Sequence, residues 1–188
     1  MAENSASRKT FVISGNFTEK LAGAFQLFVS AAEEAGETEA VVYVNSRGGS
    51  TAACAAMISA MKTSHMKFHV CATGFVMSAG LLFLSQGDVR YASEFATCMY
   101  LKAWLSTVGD EDELKEDIKY LRMATGRLMR AFFSRTKKTA KWWNGKAAES
   151  RSGMFFFAAK QAMTYGVVDS VSVPHWEKTE TSEVKALG

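Results

Sequence analysis

An α/β fold with a mostly parallel sheet is what this sequence predicts, on three observations. Apolar, β-branched runs recur at the rhythm of strand–helix–strand units, Ala- and Met-rich segments fill the intervals, and glycine-bearing turns follow the runs. The 188 residues, 48% hydrophobic and 22% charged, are enough for one domain with a sizeable core. That domain is expected over 10–173, with flexible segments at 1–9 and 174–188.

Each element follows in chain order. "KTFVISGNF" is β-branched and aromatic and ends in Gly15-Asn16, so it reads as a strand and turn. Phe17, Leu21, Ala24, Phe25 and Phe28 then recur at helical spacing until Gly36 breaks the pattern. "AVVYVNS" is a continuous apolar run of the kind found in buried parallel strands. "RGGSTAACAAMISAMKTS" reads as a loop and a buried helix, "KFHVCATG" as a second buried strand, "SAGLLFLSQG" as an apolar helix and "VRYASEFATCMYLKAW" as extended chain. A long amphipathic helix is expected from Asp110 to about Thr136, on apolar Leu114, Ile118, Leu121, Ala124, Leu128, Met129 and Phe132. "FFFAAKQAMTYG" is read as a short helix ended by Gly166, and "VVDSVSV" as a last strand.

Composition sets outer limits. The polar start "MAENSASRKT" does not have the form of a secretory signal, and "GFVMSAGLLFL" is too short to span a bilayer, so a soluble, cytoplasmic protein is expected, or one in a particle if the chain is viral. Cys54, Cys71 and Cys98 each sit in an apolar segment with no CxxC and no metal-ligand spacing, which predicts buried reduced thiols and neither metal nor cofactor. Met57, Met61, Met66 and Met77 read as core filling. A net charge of +3 is too small to imply a polyanionic partner, but its distribution is uneven. "DEDELKED" holds six acids and one lysine, whereas Lys119 to Arg151 holds ten bases and the single acid Glu149. Beyond what the helix dipole accounts for, "RTKKTAKWWNGK" is read as a subunit contact, with Trp142 and Trp143 as anchors meeting a neighbour's acids. Stacking and phosphate binding on a nucleic acid is the lesser reading of the same stretch.

Chemistry gathers at two turns, "NSRGGS" and "GFVMSAG". In parallel α/β units both open at the carboxyl edge of the sheet, where ligand sites collect. A serine at a helix start lies beside unpaired N–H groups, and consecutive glycines admit close backbone approach, so the two turns together could form an oxyanion hole facing Ser78. Taken singly, each is better explained by a helix cap and a packing glycine.

The segments "VVYVNSRGGSTAACAAMISAM", "CATGFVMSAGLLFLSQGDVRYA" and "FFFAAKQAMTYGVVDSV", in that order, resemble the Clp peptidase family of the crotonase-like superfamily over nearly the whole chain. The resemblance implies repeated strand–strand–helix and strand–helix–strand units with a long handle helix, and assembly into rings, usually two stacked heptamers. It implies Ser78 as nucleophile, with the Gly49 and Ala79 amides as oxyanion donors. It also marks departures: Leu101 stands where the family has its histidine, Met154 (or Gly153, on a slip of one) where it has its aspartate, and Arg47 where it has a proline in the first turn. A serine hydroxyl needs a base within reach and a group to orient that base. His65, His69 and His175 are misplaced for that task, and Lys102, the residue after Leu101, should face the other way unless a bulge intervenes. Three readings result. The first is an inactive Clp-like subunit of a homo-oligomeric ring, or of a mixed ring with a catalytic paralogue. The second is an ATP-dependent Clp-type endopeptidase using Ser78 with Lys102 as displaced base, and the third a nucleic-acid-associated module. The first is preferred, with no membrane partner.

Overall fold

A computed structural model describes residues 9–101 and 110–174. Five parallel strands form the main sheet in the order β1 (Lys9–Ser14), β2 (Glu39–Ser46), β3 (Lys67–Met77), β4 (Val89–Ala92) and β7 (Ser170–Val171). Parallel neighbours need crossovers, and these are supplied by α1 (Glu19–Glu34), α2 (Thr51–Thr63) and α3 (Ala79–Ser85). β5 (Thr97–Leu101) lies off this path and pairs in parallel with the end of β3, and β6 (Met154–Ala158) pairs antiparallel with β5. Strand β3 is therefore shared: His69–Ala72 pair with β4, and Phe75–Met77 pair with β5. The sheet forks there, and Ser78 is the next residue.

Side-chain caps start the helices where the sequence supplies them. Thr18 accepts from the Leu21 amide at 3.1 Å and Ser50 from the Ala53 amide at 3.2 Å. Asp110 and Glu113 form a capping box at the start of α4 (Glu111–Ser134). Apolar stripes then settle which face is buried: Phe25 of α1 meets Phe68 of β3 and Phe83 of α3 with centroids 6.1 and 5.7 Å apart. The methionines at 57, 61, 66 and 77 and all three cysteines are buried, and burial pushes each thiol up to about 12.

Several sequence readings need correction. "FFF" opens not a helix but strand β6, because its alternate rings serve two faces: Phe157 is buried against Trp143 while Phe156 is 52% exposed. α6 begins only at Ala159 and runs to Tyr165. "GFVM" is not turn but the end of β3, held in the ladder by β5. Ile118 is not on the packed face of α4. Ala24 is exposed, and Phe17 precedes α1 and bridges to Gly49. Lys9 belongs to β1; the flexible ends expected at 1–8 and from His175 onward, and residues 102–109, lie outside the described residues.

The largest correction concerns the tryptophans. Both belong to α5 (Ala140–Ala148), and Trp143 is fully buried, with ring centroids 5.0 Å from Phe132, 5.1 Å from Tyr100 and 5.6 Å from Phe157. Its indole Nε1 donates to Thr136 Oγ1 at 3.1 Å. Trp142 packs on Tyr165 and carries the Lys138 ammonium over its ring at 5.2 Å. Neither an interface anchor nor a base-stacking platform can be made of a buried Trp143; the lysine-rich stretch surrounds a core helix.

The chain end is clamped back by charge. The Arg90 guanidinium donates to both carboxylate oxygens of Asp169 and, through Nη1, to the carbonyls of Arg135 and Gly166 at 2.9 Å each. Partial burial pushes the Asp169 carboxyl up, but the hydrogen bonds and charge of Arg90 outweigh it and hold it below the ordinary carboxylate value. A depressed folded value stabilises above the unfolded value near 3.9 and stops doing so as pH falls through the folded one. Asp169→Asn is therefore expected to cost about 1 kcal/mol at pH 7, the carboxylate being part-exposed, and the gap to wild type should shrink in urea melts below about pH 4. Equal gaps at pH 7 and pH 3 would assign the effect to packing instead.

Candidate functional site

Strand β3 reaches Ser78 through an irregular stretch. Between the Val44–Ala72 and Ser46–Val76 pairs, Asn45 of β2 stands opposite Thr73, Gly74 and Phe75 of β3. The Asn45 side chain closes the gap, its Oδ1 accepting from the Phe75 amide at 3.0 Å, and a Cβ at Gly74 would stand 2.6 Å from that oxygen, so any larger residue there would displace the Asn45 side chain from this bond. Beyond this bulge β3 bends away from β4 and takes up β5.

Ser78 then has φ 51 and ψ −120, and it is the one non-glycine residue with positive φ among the described residues. A side chain held in this sparsely populated region carries strain that the surroundings must impose. Here they do: the Ser78 amide is held by the Met99 carbonyl at 3.1 Å, and its own carbonyl accepts from Leu81 and Leu82 in the first turn of α3. Its side chain makes no cap bond to that helix.

The two turns singled out in the sequence meet at this residue. A Cβ on Gly48 would stand 2.8 Å from Ser78 Cβ and 3.3 Å from the Ala79 nitrogen, so the glycine is what allows the contact. Gly49, at φ 133, lies so close to Phe17 that a Cβ would stand 2.5 Å from its carbonyl oxygen. Ser46 Oγ accepts from the Gly48 amide at 3.0 Å, the Phe17 amide donates to the Gly48 carbonyl at 2.8 Å, and Ser50 donates back to Phe17 at 2.9 Å. With the loop pinned on both sides, the Gly49 and Ala79 amides donate to no described residue. Ser46 and Asn45 lie inside the quoted motif, but their spacing alone carries no sign of these bonds; Phe17 leaves no signal in the sequence for its part in holding this loop.

The surroundings of the serine are apolar. Parallel pairing sets Phe75 beside Thr97 and Met77 beside Met99, and antiparallel pairing sets Met99 opposite Phe156 and Leu101 opposite Met154. Alternation along each strand puts Phe75, Met77, Met99, Leu101, Met154 and Phe156 on one face. Tyr100 and Phe157 take the other face, in the aromatic core, where burial raises the Tyr100 hydroxyl to about 12. Arg47 covers part of the apolar face, its guanidinium 5.3 Å from the Phe75 ring centroid.

No described histidine is near. His69 lies nine residues before Ser78, about 30 Å away at ~3.3 Å per strand residue, hydrogen-bonded to Tyr91 Oη at 3.2 Å and facing Glu39. His65 lies further back, exposed. Lys102 and His175 lie outside the described residues.

The family described as Clp protease matches residues 4–175. The chain belongs to the Clp protease family. It is similar to the ATP-dependent Clp protease proteolytic subunit 2 of Bacillus licheniformis, with 27% identity over 168 residues, 87% of this chain and 85% of that protein. The mixed α/β architecture and mostly parallel sheet are those expected of a Clp-family chain. Leu101 and Met154, the positions where that resemblance places a histidine and an aspartate, are cross-strand neighbours in this Clp-family chain. No group of His, Cys, Asp and Glu among the described residues has a metal-binding arrangement, and no described helix is long and apolar enough to cross a membrane.

Proposed function

We propose that this Clp-family chain is a pseudo-protease: a structural or regulatory subunit of a ring that keeps the nucleophile position at Ser78 but not its base. The observation that carries the reading is the Leu101–Met154 pair. Two apolar side chains occupy directly opposed positions on β5 and β6, β5 being the strand whose Met99 carbonyl holds the Ser78 amide. By the resemblance these are the positions where hydrolysis would need a base and the group that orients it. Replacing both partners of a polar pair by apolar groups leaves no unsatisfied donor or acceptor, so such a change is compatible with an intact fold. The Gly49 and Ala79 amides remain as oxyanion donors. Without the base, turnover falls by roughly 10⁴ to 10⁶. In this reading the single domain over 10–173 assembles through α4, as a homo-oligomer or with a catalytic paralogue, in a cytoplasm or a particle.

The strain at Ser78 favours a second reading, a hydrolase in which that serine is still presented to substrate and Lys102 acts as base. A fluorophosphonate probe, read by intact mass on wild type and Ser78→Ala, decides between the two. No adduct on either protein, while an active Clp peptidase labels in parallel, is the expected result. One adduct on wild type that is lost in Ser78→Ala overturns the pseudo-protease reading.

A further inference from the structure

The loop that carries Gly49 also carries a cation that hydrolysis does not use. Arg47 is exposed, and among the described residues no acid lies within ion-pair distance of it. Its guanidinium sits 5.3 Å from the centroid of the Phe75 ring. A guanidinium laid over a ring keeps its N–H edge for an anion, and the fork of that edge matches a carboxylate. The backbone beside it is fixed: Ser46 Oγ holds the Gly48 amide at 3.0 Å, and the two bonds with Phe17 occupy the inner edge of Gly48 and Ser50. The Gly49 amide is thereby left on the outer edge, with no described acceptor. A cation and an unpaired amide two residues apart on one pinned loop can both meet one carboxylate. Beside the loop lies an apolar strip. Register sets Met77, Met99 and Phe156 in one row across β3, β5 and β6, with Phe75 two residues back along β3. Met77 and Met99 are buried, but Phe75 is 44% and Phe156 52% exposed, so the two ends of the strip are rings left in water.

We infer that this site retains the C-termini of other polypeptides: an extended segment whose terminal carboxylate meets Arg47 and the Gly49 amide, and whose last apolar side chains lie along the strip from Phe75 to Phe156. Charge selects this occupant over a peptide bound at an internal bond. An internal bond is neutral and brings a guanidinium no partner, whereas a chain end brings a carboxylate. Arg47 stands where the resemblance places a proline, so the cation belongs to this chain and not to the inherited machinery. The ligand is therefore of the chemical class that peptide hydrolysis produces, an acid and not an amide, and a peptidase reaction is what would supply it. Retention rests on the pseudo-protease reading and deepens it, since it gives a site that does not turn over something to hold.

The test is fluorescence anisotropy of the full chain with a fluorescein-labelled hexapeptide ending in two leucines, prepared once as the C-terminal acid and once as the C-terminal amide. The acid is expected to bind about tenfold more tightly than the amide, the margin that one charge-assisted contact makes, and to lose that margin as salt is added. Arg47→Gln, shown folded by circular dichroism, should bring the acid down to the amide and leave the amide unchanged. Phe156→Ser should weaken both peptides alike. Equal affinities of the two peptides for wild type, no binding of either, or a margin that survives in Arg47→Gln overturns retention. Mass spectrometry of the recovered peptide separates the two readings: a peptide cut at an internal bond overturns the pseudo-protease reading and retention together, and equal affinities with the peptide intact overturn retention alone.

Discussion

Leu101→His combined with Met154→Asp is expected to raise the rate at which a fluorophosphonate labels Ser78 by about 10²- to 10⁴-fold, the range a positioned general base contributes. The reason lies in the register. Leu101 and Met154 are directly opposed across β5 and β6, a pairing that sets Cβ atoms roughly 4.5–5.5 Å apart, within reach for an imidazole bonded to a carboxylate. The Ser78 amide is bonded to the Met99 carbonyl, so Leu101 lies two residues along the same face, about 7 Å on. A histidine side chain covers much of that distance. Leu101→His alone is expected to give a smaller gain, since nothing would orient the ring, and Met154→Asp alone none. The effects of the two substitutions should therefore be strongly non-additive. Labelling rates for the four proteins under one condition, each shown folded by circular dichroism, are the measurement. A folded double variant no faster than wild type would mean that Ser78 is not held for attack, and the inherited-site account would fail with it.

Trp143→Ala should have the largest effect on stability, a loss of about 3–5 kcal/mol, since the indole is fully buried among Phe132, Tyr100 and Phe157 and its Nε1 bonds to Thr136. For a chain of this size that corresponds to a fall in Tm of about 6–20 °C. Trp142→Ala should cost clearly less, because that ring is only partly buried: it packs on Tyr165, Trp143 and Phe155 but leaves room for the Lys138 ammonium over its face. Thermal melts of the two variants compare them directly. A Trp142 variant as unstable as the Trp143 variant would contradict this division of the aromatic core.

These comparisons also show what a single sequence reveals. The parallel sheet was legible because strands buried on both faces read as unbroken apolar runs, and the two glycine turns were legible because close approach leaves glycine as the residue that fits. The strand at "FFF" was misread because an aromatic run carries no period, and only pairing with β5 distinguishes its two faces. The tryptophans misled for a related reason: Lys137, Lys138 and Lys141 around them advertise a surface, while the helix that carries them turns Trp143 inward. The opposition of Leu101 and Met154 is a property of register between segments far apart in the chain, and spacing along the sequence cannot express it. Phe17 as a support of the glycine loop was hidden for the same reason.

The Arg90–Asp169 clamp bears on how the protein comes to be made. Among the described residues strand β4 finds its outer neighbour in β7, with Tyr91 set beside Ser170, so the sheet cannot be completed until the chain has been synthesised past Val171. Until then Arg90 lacks both its carboxylate and the Gly166 carbonyl, and β4 is an open edge available to other chains. Pairing across so long a stretch of sequence is slow to form. A nascent chain that stalls before Asp169 emerges would present that edge to its neighbours on the same message, which ties protection from aggregation during translation to the arrival of the segment from Gly166 to Val171.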